Sequence, residues 1–268
     1  MTEGARFFRF GLLVTGDTER DHLPKLFRSL TALGICSFLV IRKIGQRGPK
    51  VSSAGNLRMI GSGKTIPNKD IEEIGLPARG FLDESPDHYV LLIDDLEFNR
   101  SELENKIFDR YRSALDSVTK EEKGRCSVHF LVYMLEAYYF ADSNAIRRVL
   151  GSNPETPLKA YHGDVESIRN PKSKLKDLFP SFKEREHGGR ILQFLEMTRV
   201  LHDRESCPSL RTLIAWCLAA MEKAPNWAKP ALDEKRVSFH VSDGRLRSPA
   251  KNQLPDAGQF PFRSCEGT

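Results

Sequence analysis

Apolar residues in this chain fall into short dense runs separated by segments of helical spacing. Phe7, Phe8, Phe10, Leu12, Leu13 and Val14 make Arg6 to Val14 almost continuously apolar, as expected of a strand covered on both faces. Leu23, Leu26, Phe27, Leu30 and Leu33 then recur at helical spacing behind a cap at Asp17 or Thr18, and Gly34 supplies the stop. Ile35 to Ile41 is a second run rich in β-branched and aromatic residues. His88 to Ile93 predicts a third strand, broken by Asp94 and Asp95. A helix over Ser101 to Leu115 follows, with Leu103, Ile107, Tyr111 and Leu115 on one face. Cys126 to Met134 predicts a fourth strand that runs directly into a helix over Glu136 to Leu150. This alternation predicts an α/β fold, a Rossmann-like and mostly parallel sheet with right-handed crossovers.

Beyond Gly151 the spacing becomes helical, near Lys172 to Phe179, Gly188 to Leu201 and Ser209 to Met221, with Pro154, Pro157, Pro171 and Pro180 as punctuation. From about Ala224 periodicity fades, and Pro225, Pro230, Pro249, Pro255 and Pro261 predict an irregular or disordered tail. The expected organisation is an α/β domain over 1–150 with a basic insertion at 42–80, a helical extension over 151–223 packed on it, and a tail over 224–268.

Composition narrows the class. At 268 residues, 40% hydrophobic and 29% charged, the chain can bury a core without disulfide staples. Its apolar runs are far too short to span a bilayer, and the N-terminus lacks the pattern of a secretion signal. A cytoplasmic protein with no membrane partner is the expectation. The five cysteines, Cys36, Cys126, Cys207, Cys217 and Cys265, contain no C-x-x-C pair, which argues against a disulfide framework and a zinc ribbon. They read as buried or free thiols.

The net charge of +5 decides little, but its distribution is uneven. Between Arg42 and Lys69 stand Arg42, Lys43, Arg47, Lys50, Arg58, Lys64 and Lys69, with no acid. Such a stretch suits a flexible arm on a nucleic-acid backbone, where lysine and arginine release counterions. A solvated basic loop explains it equally well, and no aromatic residue is interleaved for base stacking. Gly61-Ser62-Gly63-Lys64-Thr65 is not a phosphate-binding P-loop: Arg58 stands where the earlier glycine belongs, and Pro67 obstructs the helix.

The carboxyl ends of the expected strands are acidic, and that is where open α/β sheets gather their functional groups. The first strand delivers Thr15, Gly16, Asp17, Thr18 and Glu19; the third delivers Asp94, Asp95 and Glu97; the fourth delivers Glu136, then Asp142. Carboxylates crowded at one rim repel one another unless protons or a hard cation neutralise them, and oxygen ligands suit Mg2+ or Mn2+. Asp17, Thr18 and Asp142 can equally be helix N-caps, and Glu136 either a metal-site member or half of a structural ion pair. His187 precedes an apolar helix, where a hydrogen-bonded structural role competes with a functional one. Cys207 is a weak nucleophile candidate, and no specific motif assembles a Ser-His-Asp or Cys-His site.

Val14-Thr15-Gly16-Asp17-Thr18-Glu19 and then Leu91-Leu92-Ile93-Asp94-Asp95-Leu96-Glu97 resemble, in order, the two acidic motifs of TOPRIM (topoisomerase-primase) domains. Leu135 to Asp142, His187-Gly188 and Cys207-Pro208-Ser209-Leu210-Arg211 look like later landmarks of a bacterial TOPRIM-like family of unknown function, often considered with overcoming-lysogenisation-defect nucleases. The resemblance covers roughly residues 7–222. It implies a TOPRIM-type sheet and metal-dependent cleavage of nucleic-acid phosphodiesters, with an ABC-type ATPase as partner in phage defence. Carried over to this chain, Glu19, Asp94 and Asp95 would be catalytic, Asp94, Asp95, Glu97 and Glu136 would hold metal, and Asp17, Asp142 and His187 would be accessory. Arg42, Lys43, Arg47, Lys50, Arg58 and Lys64 would meet nucleic acid. The chain departs from the family where a first glutamate is usual and Thr15 stands instead; a hydroxyl cannot act as a base at neutral pH, which leaves Asp17 or Glu19 to serve the same cation. Two functions follow: a divalent-metal-dependent nuclease, or a catalytically weakened binding subunit of an ATPase or nucleic-acid complex. A receiver or haloacid-dehalogenase-like phosphotransfer domain also places aspartates after parallel strands, but its lysine and hydroxyl constellation is not evident here.

Overall fold

Strands β1 (Phe8–Val14), β2 (Cys36–Lys43), β3 (His88–Leu96) and β4 (Cys126–Val132) hydrogen-bond in the order β2-β1-β3-β4, every neighbouring pair parallel. The computed structural model describes residues 6–49, 57–58, 65–66, 68–151, 161, 163–247 and 253. Around the sheet lie α1 (Asp17–His22), α2 (Leu76–Asp83), α3 (Glu104–Thr119), α4 (Ser143–Leu150), α5 (Pro171–Leu178), α6 (Gly189–Phe194), α7 (Pro208–Ala220) and α8 (Lys229–Ser238). The fold is the expected Rossmann-like α/β architecture. The strand order reverses between β1 and β3, so the crevice beyond their carboxyl ends is the topological switch point where such sheets bind ligands.

Both faces of the sheet are covered, which is why its strands read as near-continuous apolar runs. On one face Phe8, Phe10, Leu12, Val14, Leu91, Ile93 and Leu131 pack with Leu23, Leu26 and Phe27 just after α1, with α4 and α7 and with the rest of the helical extension. On the other, Leu13, Val90, Leu92, Leu96, Val128, Phe130 and Val132 pack against α2 and α3. The extension and the first face therefore share one core. Among the described residues no helix is long and apolar enough to cross a membrane. Cys36, Cys126, Cys207 and Cys217 are buried free thiols, while Cys265 lies outside the described residues.

Several elements depart from expectation. β3 does not stop before the acids: Asp94 and Asp95 pair with Phe130 and Leu131 of β4, and the strand continues to Leu96. The helix after β1 is interrupted by a 3-10 turn over Leu23–Phe27, where Pro24 has no N–H to offer, and Gly34 ends the segment at φ +72°. The helix expected over Glu136 to Leu150 is a 3-10 segment, Leu135–Ala141, followed by α4. Part of the basic insertion is helical, since Ile74, Ala78, Phe81 and Leu82 bury a face of α2 and the turn before it.

The expected tail folds at least to Arg247. Leu232, Phe239, Val241 and Leu246 enter the larger core, and full burial of such side chains contributes roughly 1.5–3 kcal/mol each. The buried guanidinium of Arg211, on the wholly buried α7, donates to the carbonyls of Phe239 and Arg245 at 3.2 Å each and so ties this segment down. Residues 248–252 and 254–268 lie outside the described residues, as do Lys50, Lys64 and the side chain of Arg58.

Candidate functional site

Alternation along β3 separates its two acids, because successive strand residues face opposite sides of a sheet. Asp94 is fully buried on the α3 side. Its Oδ1 accepts from the Thr15 hydroxyl at 2.8 Å and Arg100 Nη1 at 3.3 Å; its Oδ2 accepts from Arg100 Nη2 at 2.7 Å and the Tyr111 hydroxyl at 2.9 Å. Every acceptor position on Asp94 is thus engaged by protein. Thr15 bridges to the neighbouring residue as well, its hydroxyl receiving the Asp95 N–H at 3.4 Å. The expected role of Asp94 as a metal ligand is replaced by that of a structural anchor: a carboxylate satisfied by four donors has nothing left for a cation.

Asp95 faces the other side, with Oδ1 withdrawn from solvent and without a hydrogen-bond donor. Its carboxyl meets that of Glu19, and burial first, then the charge and hydrogen bond of Glu19, then the charges of Glu136 and Asp94 push its pKa well above the carboxylate range. Glu19 reaches this place from α1 by folding back over Gly16, where an added Cβ would stand 1.8 Å from Glu19 Oε2. Two carboxyls in hydrogen-bond contact need a proton or a cation between them.

Glu136, on the 3-10 segment after β4, is 2% exposed, and its Oε1 also lacks a hydrogen-bond partner. Burial lifts its pKa to about 7, a rise limited by Lys172, whose Nζ lies 3.7 Å from Oε1. Lys172 makes its close contact, 2.6 Å, with Glu184. Burial alone would raise Glu184, but hydrogen bonds from Lys172 and the Thr18 hydroxyl hold it below its ordinary value. Three segments distant in sequence are joined by this chain of contacts.

Glu19, Asp95, Lys172 and Glu184 border an open cleft of about 820 Å³ at the switch point, shared with Thr15 to Thr18, Arg20 to His22, Gln46, Glu97, Met134 and Arg185; Glu136 is not part of its lining. The carboxylates supply the hard oxygen donors that Mg2+ or Mn2+ prefers, and Asp95 Oδ1 and Glu136 Oε1 each lack a hydrogen bond, though Lys172 stands 3.7 Å from the latter. Among the described residues no group of three or more His, Cys, Asp or Glu is placed so that together they could hold a metal ion. Glu19 and Asp95 match a hard cation in the kind of donor they offer, but as a pair rather than a group of three or more ligands.

The remaining expectations separate cleanly. Asp17 is at the mouth of the cleft, paired with Lys43 and Arg20 at 2.9 Å each. Glu97 lines the cleft, half-buried. Asp142 is a helix N-cap, accepting from the backbone N–H groups of Asn144, Ala145 and Glu196, and so is a fold residue. His187 does not line the cleft, and its Nδ1 accepts the backbone N–H of Lys183 at 2.9 Å, so it too is structural. Arg47 is buried, with Asp70 on Nε at 2.8 Å and Glu73 on Nη2; its guanidinium is closed to a nucleic-acid backbone. Arg42 is exposed. Lys172, Glu184 and Arg185 escaped sequence reasoning, since charged residues in a polar helical stretch carry no motif.

Comparison with protein-family models, with curated proteins and with solved structures gave no match, so the function of this cleft rests on its own chemistry.

Proposed function

We propose that this protein is a divalent-cation-dependent hydrolase of nucleic-acid phosphodiesters, working from the cleft at the β1/β3 switch point. The observation that carries the reading is the Glu19–Asp95 carboxyl contact, with Asp95 Oδ1 buried and partnerless. Glu19 and Asp95 would hold Mg2+ or Mn2+, with Glu136, whose charge acts on Asp95, and Glu97, which lines the same cleft, as the further acids available. When bound, the cation would activate water and stabilise the leaving oxygen. Lys172, Arg185 and Arg20 border the same cleft and offer positive charge to a phosphate. The order of acidic motifs resembling TOPRIM domains supports the same chemistry, and extends the proposal to a cytoplasmic role in phage defence beside an ABC-type ATPase.

A second reading, a binding subunit with weakened catalysis, is favoured by one observation: Thr15 and Asp94, at positions where the resembled family has metal-site acids, are bonded to each other. Incubating purified protein with supercoiled plasmid and single-stranded oligonucleotide in Mg2+ or Mn2+ separates the two. Cleavage abolished by Glu19→Gln and by Asp95→Asn supports the hydrolase; retention of nucleic acid with no cleavage in either metal supports the subunit.

A further inference from the structure

Beside the cleft, exposed Phe98 stands against Tyr133, which itself packs on the edge of the α2/α3-side core. Phe98 follows Glu97 in sequence and Tyr133 precedes Met134, and both of those neighbours line the cleft. Phe98 is 47% exposed, an unusual place for a large apolar ring. Its centroid lies 5.7 Å from that of half-buried Tyr133, the rings inclined at 54°. Arg169 brings its guanidinium 4.5 Å from the Phe98 centroid, within cation–π range. Arg169 is exposed, and among the described residues no carboxylate lies at ion-pair distance from it.

The backbone beneath the pair is tied down at Tyr133. The Tyr133 N–H bonds to the Leu96 carbonyl at 3.0 Å, tying the end of β4 to the end of β3. Tyr133 and Met134 both adopt positive φ, 55° and 82°, conformations costly for non-glycine residues that persist where the surroundings impose them. Arg169 also borders a second hollow of about 450 Å³ with Tyr161, Asn170, Lys174 and Asp177. Lys172 in the cleft and Lys174 in the hollow belong to α5. Phe98 thus adjoins in sequence a residue of the acidic cleft, Glu97, and in space Arg169, which lines the second hollow.

We propose that Phe98, supported by Tyr133 and Arg169, is a stacking platform for an unpaired nucleobase next to the cleft, which makes single-stranded nucleic acid the substrate class. The inference rests on the hydrolase reading for the role of the cleft, but stacking itself needs no metal. Aromatic and guanidinium planes accept any base face, because every base has a π-surface. Bases inside a duplex are already stacked and cannot reach such a ring.

The test is fluorescence anisotropy with labelled oligothymidylate, oligouridylate and an abasic strand of equal length, in chelator so that nothing is cleaved. Wild-type protein is expected to prefer a base-bearing strand over the abasic one by about tenfold, the scale of one base–aromatic stack. Phe98→Ala should erase that preference and leave affinity for the abasic strand unchanged. Phe98→Trp should restore it and add an indole signal that is quenched on binding. The better of the two base-bearing strands assigns DNA or RNA. Equal affinity of wild type for base-bearing and abasic strands, binding of neither, or an undiminished preference in Phe98→Ala would overturn the platform. A preference that depends on Phe98 in a protein that cleaves nothing would leave the platform standing and remove the hydrolase; cleavage without preference would do the reverse.

Discussion

Asp94 and Asp95 are consecutive in sequence and belong to opposite layers of the protein: Asp94 binds Thr15, Arg100 and Tyr111 on the α3 side, while Asp95 meets Glu19 in the cleft. The two acids should therefore respond to substitution in opposite ways.

Asp95→Asn replaces a carboxyl whose ionisation its own surroundings oppose. It should abolish metal-dependent activity while raising the melting temperature by about 2–4 °C, the response of a protein of this size to ~1 kcal/mol. Thermal unfolding and a cleavage assay on the same preparation check both halves.

Asp94→Asn strips the ion pair from Arg100, whose side chain is 14% exposed. Breaking a buried pair by removing one partner costs about 3–5 kcal/mol, because the remaining charge stays uncompensated. Chemical denaturation should show that loss, and any fall in activity should follow the folded fraction.

Thr15→Glu restores the acid that the resembled family usually has, but the structure gives it no room to help. Thr15 is 9% exposed and its hydroxyl donates to Asp94, so a glutamate would set a second carboxylate against a buried one. The variant should lose stability by roughly 3 kcal/mol or more and gain no cleavage. Enhanced cleavage by a stable Thr15→Glu protein would show that Asp94 is free to rearrange.

Gly16→Ala probes how Glu19 is seated. The new methyl would occupy the space of the Glu19 carboxylate, 1.8 Å from Oε2, and displace it from Asp95. A misplacement of about 1 Å can cost on the order of a hundredfold in rate. A kcat loss of that order with unchanged circular dichroism is the expected result.

Stability should also depend on pH through Glu136, whose folded-state pKa of about 7 exceeds the ordinary 4.5 because the group is buried. Between those values the folded chain holds a proton that the unfolded chain has lost, so stability falls as pH rises through that window and levels off above it. Melting temperatures in chelator across that range should fall less steeply for Glu136→Gln, which has no proton to lose. Equal slopes would place Glu136 in a more polar setting.

Much of the sheet was legible because parallel strands buried on both faces are nearly continuously apolar, as Phe8 to Val14 is but for exposed Arg9. The strand ends were less so. β3 reads as ending at Asp94 because an acid in a core strand is costly, and only the distant Arg100 and Tyr111 make it affordable. The proline-rich segment after Ala224 reads as loose for want of periodicity, yet Arg211 holds it by backbone carbonyls that no sequence pattern displays. Glu19, Asp95 and Glu136 were reachable from the rule that functional groups collect at carboxyl ends of strands. Lys172 and Glu184 were not, since their approach depends on how the helical extension packs. Arg47 misled for the opposite reason: a basic stretch without acids pairs with Asp70 and Glu73 only after folding.

Titrating Mn2+ into the metal-free protein by calorimetry, alongside Glu19→Gln and Asp95→Asn, tests most directly whether the two carboxyls share a cation. The account predicts saturable binding to wild type at neutral pH that is lost in both variants while their melting curves remain cooperative. Wild type that takes up no Mn2+, or variants that bind it as tightly, would contradict the account.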